Sequence, residues 1–463
     1  MKKGLAIVLA MFLILSIAAC SGKSNDEQSQ NTQNNQAGND TTPAPSGSGN
    51  GGDKKQVTLR IASAETAADP KKAMEEIAQE YEQQTGVKVV VETMNLDDMY
   101  LKVQSTFGTS AQYDVMFSGY LGLLTTLKEK GIVAPVDDVI EKLGGKDIFY
   151  SPTTLQPILD GKSYRIPYDL NYALGYIRTD WLQEKGLSMP TNWDEFLNVM
   201  KAFTDKKNNK YGLILPLKIG GANNWITTSV FWANDVEIFD DQMNVILDQG
   251  DNKQRAIESL NFLKELNQYM PVEAENADFP ELLAAFYGGQ VGFTFYSGRL
   301  ADASVQSAPD LAGKFQVMGL PRKDGNGYAT TYGDDGVNII NGPNVEEAKK
   351  FVEWFFKEKY LKLVAAAPNA FFPSISSVYE SEEYKSLPTV KQFWNDVAVP
   401  QQKIIQEAKV NAISLAGSEP TEKQSVVESS FIIPKMFQRV LIGNEDPSKV
   451  IDATANEIRN MIK

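Results

Sequence analysis

The start of the globular part of the chain combines two hydrophobic periods. Apolar residues alternate with polar ones over residues 57–61, as in a strand, and then recur at four-residue intervals over residues 73–81, as on one helix face. Thr85-Gly86 is a typical helix end, and the alternation resumes over residues 87–91. This order predicts a β-loop-α-β unit, which is typical of parallel strands with helices packed on the sheet.

Strand and helix patterns continue to alternate further along the chain. The run Tyr-Asp-Val-Met-Phe at residues 113–117 predicts a short buried strand that is followed by a helix. At residues 191–194 the run Thr-Asn-Trp-Asp predicts a helix start, with Thr191 as the N-cap and Asp194 reaching back to it. The whole pattern predicts an α/β protein rather than a β-sandwich or a helix bundle.

The first 54 residues have a different character. Residues 1–19 have the organisation of a signal peptide, because two lysines precede an unbroken apolar run that is shorter than the roughly 20 residues of a spanning helix. Residues 20–54 are rich in Ser, Asn, Gln and Gly and poor in large apolar side chains, so they predict a disordered linker. The length of residues 55–463 predicts two domains.

Composition excludes several classes of function. The formal net charge of -14 argues against a nucleic-acid partner, because the chain would repel phosphate. The sequence contains no histidine, which excludes Ser-His and Cys-His catalytic triads and removes the commonest transition-metal ligand. We therefore expect neither a metal nor a cofactor.

Cys20 is the only cysteine of the chain, so it cannot form an internal disulfide. The residues around it, Ile-Ala-Ala-Cys at 17–20 and then Ser-Gly, resemble a bacterial lipobox. That resemblance implies that Cys20 is lipidated and becomes the mature N-terminus. Two or three acyl chains on this residue would anchor the protein at a membrane surface, and this lipid anchor would be its only attachment to the membrane.

Four segments follow this lipobox. In their sequence and their spacing they are similar to family 1 extracellular solute-binding proteins, the maltose-binding-protein-like receptors of bacterial ABC importers. They are YDVMFSG at 113–119, LKEKGIVAPVDD at 127–138, DGKSYRIPYD at 160–169 and PTNWDEF at 190–196. The resemblance covers essentially all of residues 55–463.

The resemblance implies a two-lobed α/β fold with mostly parallel sheets, flanking helices and a hinge that closes around a ligand. Chain crossings are expected near Asn171, Val317 and Ala366. The first lobe would then comprise residues 55–171 and 317–366, and the second lobe residues 172–316 and 367–463. The implied function is that of a monomeric receptor, not an enzyme, at the extracellular face of the bacterial membrane. It would bind a mono- or oligosaccharide and deliver it to an ABC transporter permease.

A sugar-binding site needs aromatic rings for the apolar C–H face of the sugar and charged or amide groups for its hydroxyls. Such residues occur at several strand ends, and the candidate ligand-binding residues are Glu65, Tyr120, Tyr168, Asp169, Asn171, Trp225, Trp232, Tyr296, Arg299, Asp334 and Asp335.

Several of these candidates also have a structural interpretation. The seven-residue spacing of Trp225 and Trp232 equally suits a helix face packed on the core. Tyr120 could cover the helix that follows it, and Arg299 could be a solvated charge. Asp335 could do no more than shape a turn.

Three alternative functions stay open at this point. An exported glycoside hydrolase would use a carboxylate pair, for which Asp334 and Asp169 are available. A receptor of the same fold could bind another polar solute, such as a polyol, a glycerol phosphodiester or a peptide. A structural surface lipoprotein would bind no ligand at all.

Overall fold

Two main β-sheets, each with helices packed around it, organise the chain. The computed structural model describes residues 56–119, 121–150, 158–333, 335–416 and 421–463. The predicted signal peptide, Cys20 and the linker lie outside the described residues, and so do Tyr120 and Asp334. Strands and helices alternate through most of the described chain, so the predicted α/β class is confirmed.

The strands of the described residues are Thr58–Ser63 (β1), Lys88–Thr93 (β2), Val115–Ser118 (β3), Val133–Ala134 (β4), Ile158–Leu159 (β5), Lys162–Ser163 (β6), Ile166–Pro167 (β7), Asn171–Tyr172 (β8), Leu174–Arg178 (β9), Tyr211–Ile214 (β10), Val291–Tyr296 (β11), Phe315–Met318 (β12), Leu320–Pro321 (β13), Tyr328–Gly333 (β14), Gly336–Ile340 (β15) and Lys409–Asn411 (β16).

The α-helices of the same residues are Ala68–Thr85 (α1), Leu96–Thr106 (α2), Leu121–Glu129 (α3), Asp137–Leu143 (α4), Thr179–Lys185 (α5), Trp193–Phe203 (α6), Gly221–Ile226 (α7), Ser229–Trp232 (α8), Gly250–Asn267 (α9), Phe279–Tyr287 (α10), Arg299–Ser307 (α11), Val345–Trp354 (α12), Tyr360–Ala366 (α13), Ser376–Glu380 (α14), Glu382–Lys385 (α15), Pro388–Gln392 (α16), Val399–Glu407 (α17), Glu422–Ser429 (α18), Ile432–Leu441 (α19) and Pro447–Met461 (α20).

The first sheet has the strand order β2-β1-β3-β15-β4, and β7 also pairs with β15. The strands β1, β2 and β3 are parallel, as the opening β-loop-α-β pattern predicts. The late strand β15 enters antiparallel beside β3. Leu59 and Ile61 of β1 are fully buried, because alternate residues of the strand point into the core.

The second sheet has the strand order β10-β11-β9-β12. Its strands β10 and β11 are parallel, whereas β9 runs antiparallel to both of its neighbours. A smaller sheet consists of β13, β14 and β16, and β8 adds to it by pairing with β14. We call the parts of the chain around the first and second sheets the first and second lobes.

The chain passes between the two main sheets at three places. It leaves the first sheet after β7 and joins the second at β9, and it returns between β14 and β15. Val317 lies inside β12, opposite Tyr176 of β9, and therefore belongs to the second sheet. The third passage follows α13, after which α17 contacts β12 and α20 contacts α9. We propose the lobe boundaries at these three passages.

The start of α6 differs in detail from the prediction. Asn192, not Thr191, is the N-cap, and its side chain accepts the backbone N–H of Glu195 at 2.9 Å. Glu195, not Asp194, reaches back, and its carboxylate accepts both the N–H and the hydroxyl of Thr191. The capping arrangement is thus displaced by one residue, because both Thr and Asn can cap and the sequence alone does not choose between them.

None of the described helices combines the length and the apolar character that a membrane span needs.

Candidate functional site

Glu65 connects the two lobes through its side chain. It follows β1 in the first lobe and is only 4% exposed. One of its carboxylate oxygens accepts the hydroxyl of Tyr168 at 2.7 Å, and the other accepts Nη2 of Arg299 at 2.9 Å. Arg299 is the first residue of α11, the helix that follows β11 of the second lobe, so this ion pair bridges the lobes.

Arg299 is held from two directions. Its guanidinium carbon lies 5.2 Å from the centre of the Phe371 ring, while its Nη2 binds Glu65. Burial disfavours the charged guanidinium, but the charge and hydrogen bond of Glu65 outweigh burial, so the pKa of Arg299 is raised. Arg299 therefore stays cationic, and its remaining N–H groups can donate to a hydroxyl-rich ligand.

Tyr168 lies at the first passage between the lobes and is buried. Its backbone carbonyl accepts the hydroxyl of Tyr360 at 2.6 Å, and its ring lies 5.9 Å from the Phe371 ring. Burial and the negative charge of Glu65 raise the pKa of Tyr168 well above its ordinary value. The Tyr168 hydroxyl consequently remains a donor that fixes the Glu65 carboxylate.

Asp335 and Asn171 meet beside this ion pair. The side-chain amide of Asn171 donates to a carboxylate oxygen of Asp335 at 3.0 Å, and the backbone N–H of Tyr168 donates to the carbonyl of Asp335 at 3.3 Å. Burial, together with the charge of Glu65, raises the pKa of Asp335 to about 6, although Arg299 and Asn171 act in the opposite direction. Asp335 is thus an acceptor whose charge changes near neutral pH.

We expect Asp335→Asn to stabilise the unliganded protein by about 1 kcal/mol at pH 7.5 and to have no effect at pH 4. The pKa of about 6 lies above the ordinary value, so the folded state holds this proton more tightly than the unfolded chain. Stability from this group is therefore present at low pH and is lost as the pH rises from about 4 to 6.

Denaturant unfolding of wild type and variant at both pH values measures this difference. The exposed Asp310→Asn variant is the control for the substitution itself. An Asp335→Asn effect that is the same at pH 4 and pH 7.5 would contradict the assignment.

We call Glu65, Tyr168, Asn171, Arg299 and Asp335 the inter-lobe site. All five were sequence candidates. The structure brings them together from the two lobes and from the first and second passages between the lobes.

Asp169 and Trp232 make none of the contacts described above for the inter-lobe site. Asp169 is 1% exposed and forms a β-bridge with Pro373 in the packed passage. Trp232 is fully buried in the core. The seven-residue spacing does not place Trp225 and Trp232 on one helix face, because α7 ends at Ile226 and α8 begins only at Ser229. Trp232 thus takes the core-packing role that the sequence left open.

Tyr296 and Trp225 belong to a row of aromatic rings on the second lobe. The Phe279 ring lies between them, 5.4 Å from the Tyr296 ring and 6.2 Å from the Trp225 ring. All three side chains are partly exposed. Tyr296 is the last residue of β11 and stands three positions before Arg299, so this row begins beside the inter-lobe site. We call Tyr296, Phe279 and Trp225 the aromatic row.

A second contact between the lobes joins α3 to α18. The hydroxyls of Thr125 and Ser425 are 2.9 Å apart, and both residues are buried. On the second lobe, the side-chain amide of Asn224 donates to the carbonyl of Glu428 in α18 at 3.4 Å. Sequence reasoning missed this contact and Phe279, because neither stands at a strand end or in a recognisable motif.

The segment after α13 ties the third passage to the second lobe. The carboxylate of Asp302 accepts the backbone N–H groups of Asn369 and Ala370 at 3.1 and 2.9 Å, and the Asn369 side-chain amide at 2.7 Å. Burial raises the pKa of Asp302 to about 6 in spite of these hydrogen bonds. Asp302 thus fixes the backbone of Asn369 and Ala370.

Among the described residues, no group of three or more His, Cys, Asp or Glu side chains is arranged to hold a metal ion. A cavity of about 470 Å³ lies on the second lobe between α19 and α20, where its lining includes Met436, Arg439 and Thr454. It has no residue in common with the inter-lobe site.

A family model described as bacterial extracellular solute-binding protein matches residues 64–362. A maltotriose-binding protein of Pyrococcus abyssi is 26% identical over 274 residues, which cover 57% of this chain and 55% of that protein. A fructooligosaccharide ABC transporter substrate-binding protein, FusA of Streptococcus pneumoniae, is 24% identical over 65% of this chain and 61% of that protein. The alignments thus cover less than two thirds of the length of either relative.

Solved structures share the fold. An ABC transporter solute-binding protein of Thermotoga lettingae bound with alpha-D-tagatose is 20% identical, with a TM-score of 0.70 over 88% of this chain and 100% of that one. This similarity confirms the predicted fold class.

Proposed function

We propose, from the premise that this chain belongs to the bacterial extracellular solute-binding proteins, that it captures a carbohydrate between its two lobes and delivers it to the permease of an ABC transporter. The observation that carries the proposal is the inter-lobe site, in which Glu65 of the first lobe binds Arg299 of the second beside Asp335. Similarity to receptors named for maltotriose and fructooligosaccharides supports a sugar as the ligand class.

The proposed roles follow from the chemistry of each group. Asp335 and Glu65 accept sugar hydroxyls, whereas Arg299 and Asn171 donate to them. Tyr296 lies beside these polar groups and offers its ring to the apolar face of the sugar. A binding site of this kind holds its ligand without changing it, so we propose no enzymatic activity.

The location of the protein belongs to the same proposal. The family is extracellular. The lipobox-like sequence around Cys20 supports removal of residues 1–19 and lipidation of Cys20. The polar residues 20–54 would then separate a monomeric receptor from the lipid surface at the outer face of the cell membrane.

A thermal-shift screen of the full-length chain against mono- and oligosaccharides tests the function. A true ligand at a hundred times its dissociation constant is expected to stabilise the protein by about 2.7 kcal/mol. Chromatography of the same mixtures after prolonged incubation should find the saccharides intact. Appearance of shorter products would instead favour a glycoside hydrolase, and no shift with any saccharide would refute the carbohydrate proposal.

A further inference from the structure

The contact between α3 and α18 continues one turn beyond its buried hydroxyl pair. The hydroxyls of Thr125 in the first lobe and Ser425 in the second are 2.9 Å apart. Glu129 stands one turn after Thr125 in α3, and its carboxyl lies within hydrogen-bond reach of the carboxyl of Glu422. Because Glu422 stands one turn before Ser425 in α18, the two helices pack antiparallel. Their contact therefore places a carboxyl of one lobe opposite a carboxyl of the other, and we call Glu129 and Glu422 the carboxyl pair.

The interaction within the carboxyl pair depends on its protons. When one proton is present, the protonated carboxyl donates a hydrogen bond to the ionised one. When both carboxyls are ionised, neither can donate, and two like charges face each other. The hydrogen bond to Glu422, partial burial and the charge of Glu422 together raise the pKa of Glu129. The pair therefore holds a proton more tightly when the lobes are in contact than when they are apart.

The neighbouring cations do not neutralise the carboxyl pair. Among the described residues, no ion pair joins a cation to Glu129 or Glu422. Three lysines on or beside the two helices have other partners: Lys128 binds Asp160, Lys130 binds the side chain of Gln104, and Lys423 binds the carbonyl of Met243. The charge of Lys128 lowers the pKa of Glu129 and that of Asp160 raises it, but both effects are smaller than that of Glu422.

We infer that the carboxyl pair is a pH-sensitive latch, which holds the lobes together when it shares a proton and pushes them apart when both carboxyls are ionised. This inference rests on the proposed function, in which the lobes separate to admit and release the solute, and it names a regulation of that binding site. A raised pKa means that the stabilising contribution is complete at low pH and is lost as the pH rises through the raised value. The receptor consequently holds its solute more firmly in acidic surroundings.

Pulsed EPR between nitroxide labels on the two lobes tests the latch in the full-length chain without any solute. Lys72 in α1 and Lys449 in α20 are both exposed, so Lys72→Cys and Lys449→Cys provide the label positions in a Cys20→Ser background. From pH 7.5 to pH 4.5 we expect the ratio of closed to open molecules to rise about two- to fivefold, the range for a pair of exposed charges. High salt should reduce this response, because it screens exposed charges.

Variants of the carboxyl pair assign the response to these two residues. Glu129→Gln and Glu422→Gln should each lose most of it, since a neutral amide removes the repulsion at pH 7.5. Relative to Glu422→Gln, Glu422→Lys should favour the closed form at pH 7.5 more than at pH 4.5, because ionised Glu129 attracts the lysine. The matched control is Glu141→Gln, which changes an exposed acid of α4 in the first lobe and should respond as wild type does.

Two results would overturn the latch. One is a pH response that both glutamine variants retain in full, and the other is a ratio of closed to open molecules that does not change between the two pH values. Either result leaves carbohydrate binding untouched, because the measurement contains no saccharide. Conversely, a saccharide screen without any thermal shift would refute the carbohydrate proposal and leave the pH response of the lobes standing.

Discussion

Replacing Gly298 with alanine is expected to destabilise the protein by about 3 kcal/mol. A Cβ at this position would lie 1.6 Å from the carbonyl oxygen and 2.2 Å from the carbonyl carbon of Asn369. Both are backbone atoms, and the Asn369 backbone is itself fixed by the carboxylate of Asp302. The contact cannot be relieved by rotating a side chain, so the backbone of one segment must move.

Denaturant unfolding of Gly298→Ala measures this cost. Gly220→Ala is the matched control, because no atom beyond its two chain neighbours lies within 4 Å of the Cβ that it would add. Surface substitutions usually change the free energy of unfolding by no more than about 0.5 kcal/mol. A change that small for Gly298→Ala would show that the close approach to Asn369 is not needed.

The position of Gly298 explains why its loss should also affect ligand binding. Gly298 immediately precedes Arg299 of the inter-lobe site, and the segment that it contacts continues to Phe371 and Phe372. The backbone N–H of Leu170 donates to the carbonyl of Phe372 at 2.9 Å, on the first passage between the lobes. The segment after α13, which forms the third passage, therefore contacts both the first passage and the residue before Arg299. A shift of this segment should change the position of Arg299.

Breaking the Glu65–Arg299 pair is the second large effect that we expect. Arg299→Met should destabilise the unliganded protein by about 2 kcal/mol, because it leaves Glu65 buried with its charge uncompensated. It should also weaken saccharide binding by about tenfold or more, because a charged donor is lost. The exposed part of the Arg299 side chain, 36%, keeps the stability effect below that of a fully buried pair.

A double-mutant cycle of Glu65→Gln and Arg299→Met isolates the pair, with an expected coupling of about 1–2 kcal/mol. The pair Arg439–Glu445 is the control, since its shortest contact is a similar 2.7 Å but both side chains are more than a third exposed. Its coupling should stay below about 1 kcal/mol. Equal coupling energies for both pairs would mean that the inter-lobe ion pair contributes no more to stability than an exposed ion pair.

Much of the scaffold could be predicted from local sequence. Alternation at residues 57–61 and the helix spacing at residues 73–81 specify β1 and α1, because burial on one face imposes a fixed period. Glu65 and Arg299 could be chosen as candidates because each follows a strand, and strand ends carry the polar loops of α/β proteins. Their pairing required the fold, since 234 positions separate them.

The remaining site residues escape sequence reasoning for identifiable reasons. Phe279 looks like an ordinary helix-start residue, and only tertiary packing places it between Tyr296 and Trp225. Trp225 and Trp232 share a period, but a break between α7 and α8 separates their environments. The approach of Ser425 to Thr125 joins segments 300 positions apart, and no local pattern predicts such a contact.

A crystal structure of the protein with its tightest-binding saccharide tests most directly whether the ligand binds between the lobes. We expect sugar density between the lobes, with hydroxyls on Asp335 and Arg299 and a sugar ring against Tyr296. Density confined to the cavity between α19 and α20, or a complex in which the inter-lobe site touches no sugar atom, would contradict this expectation.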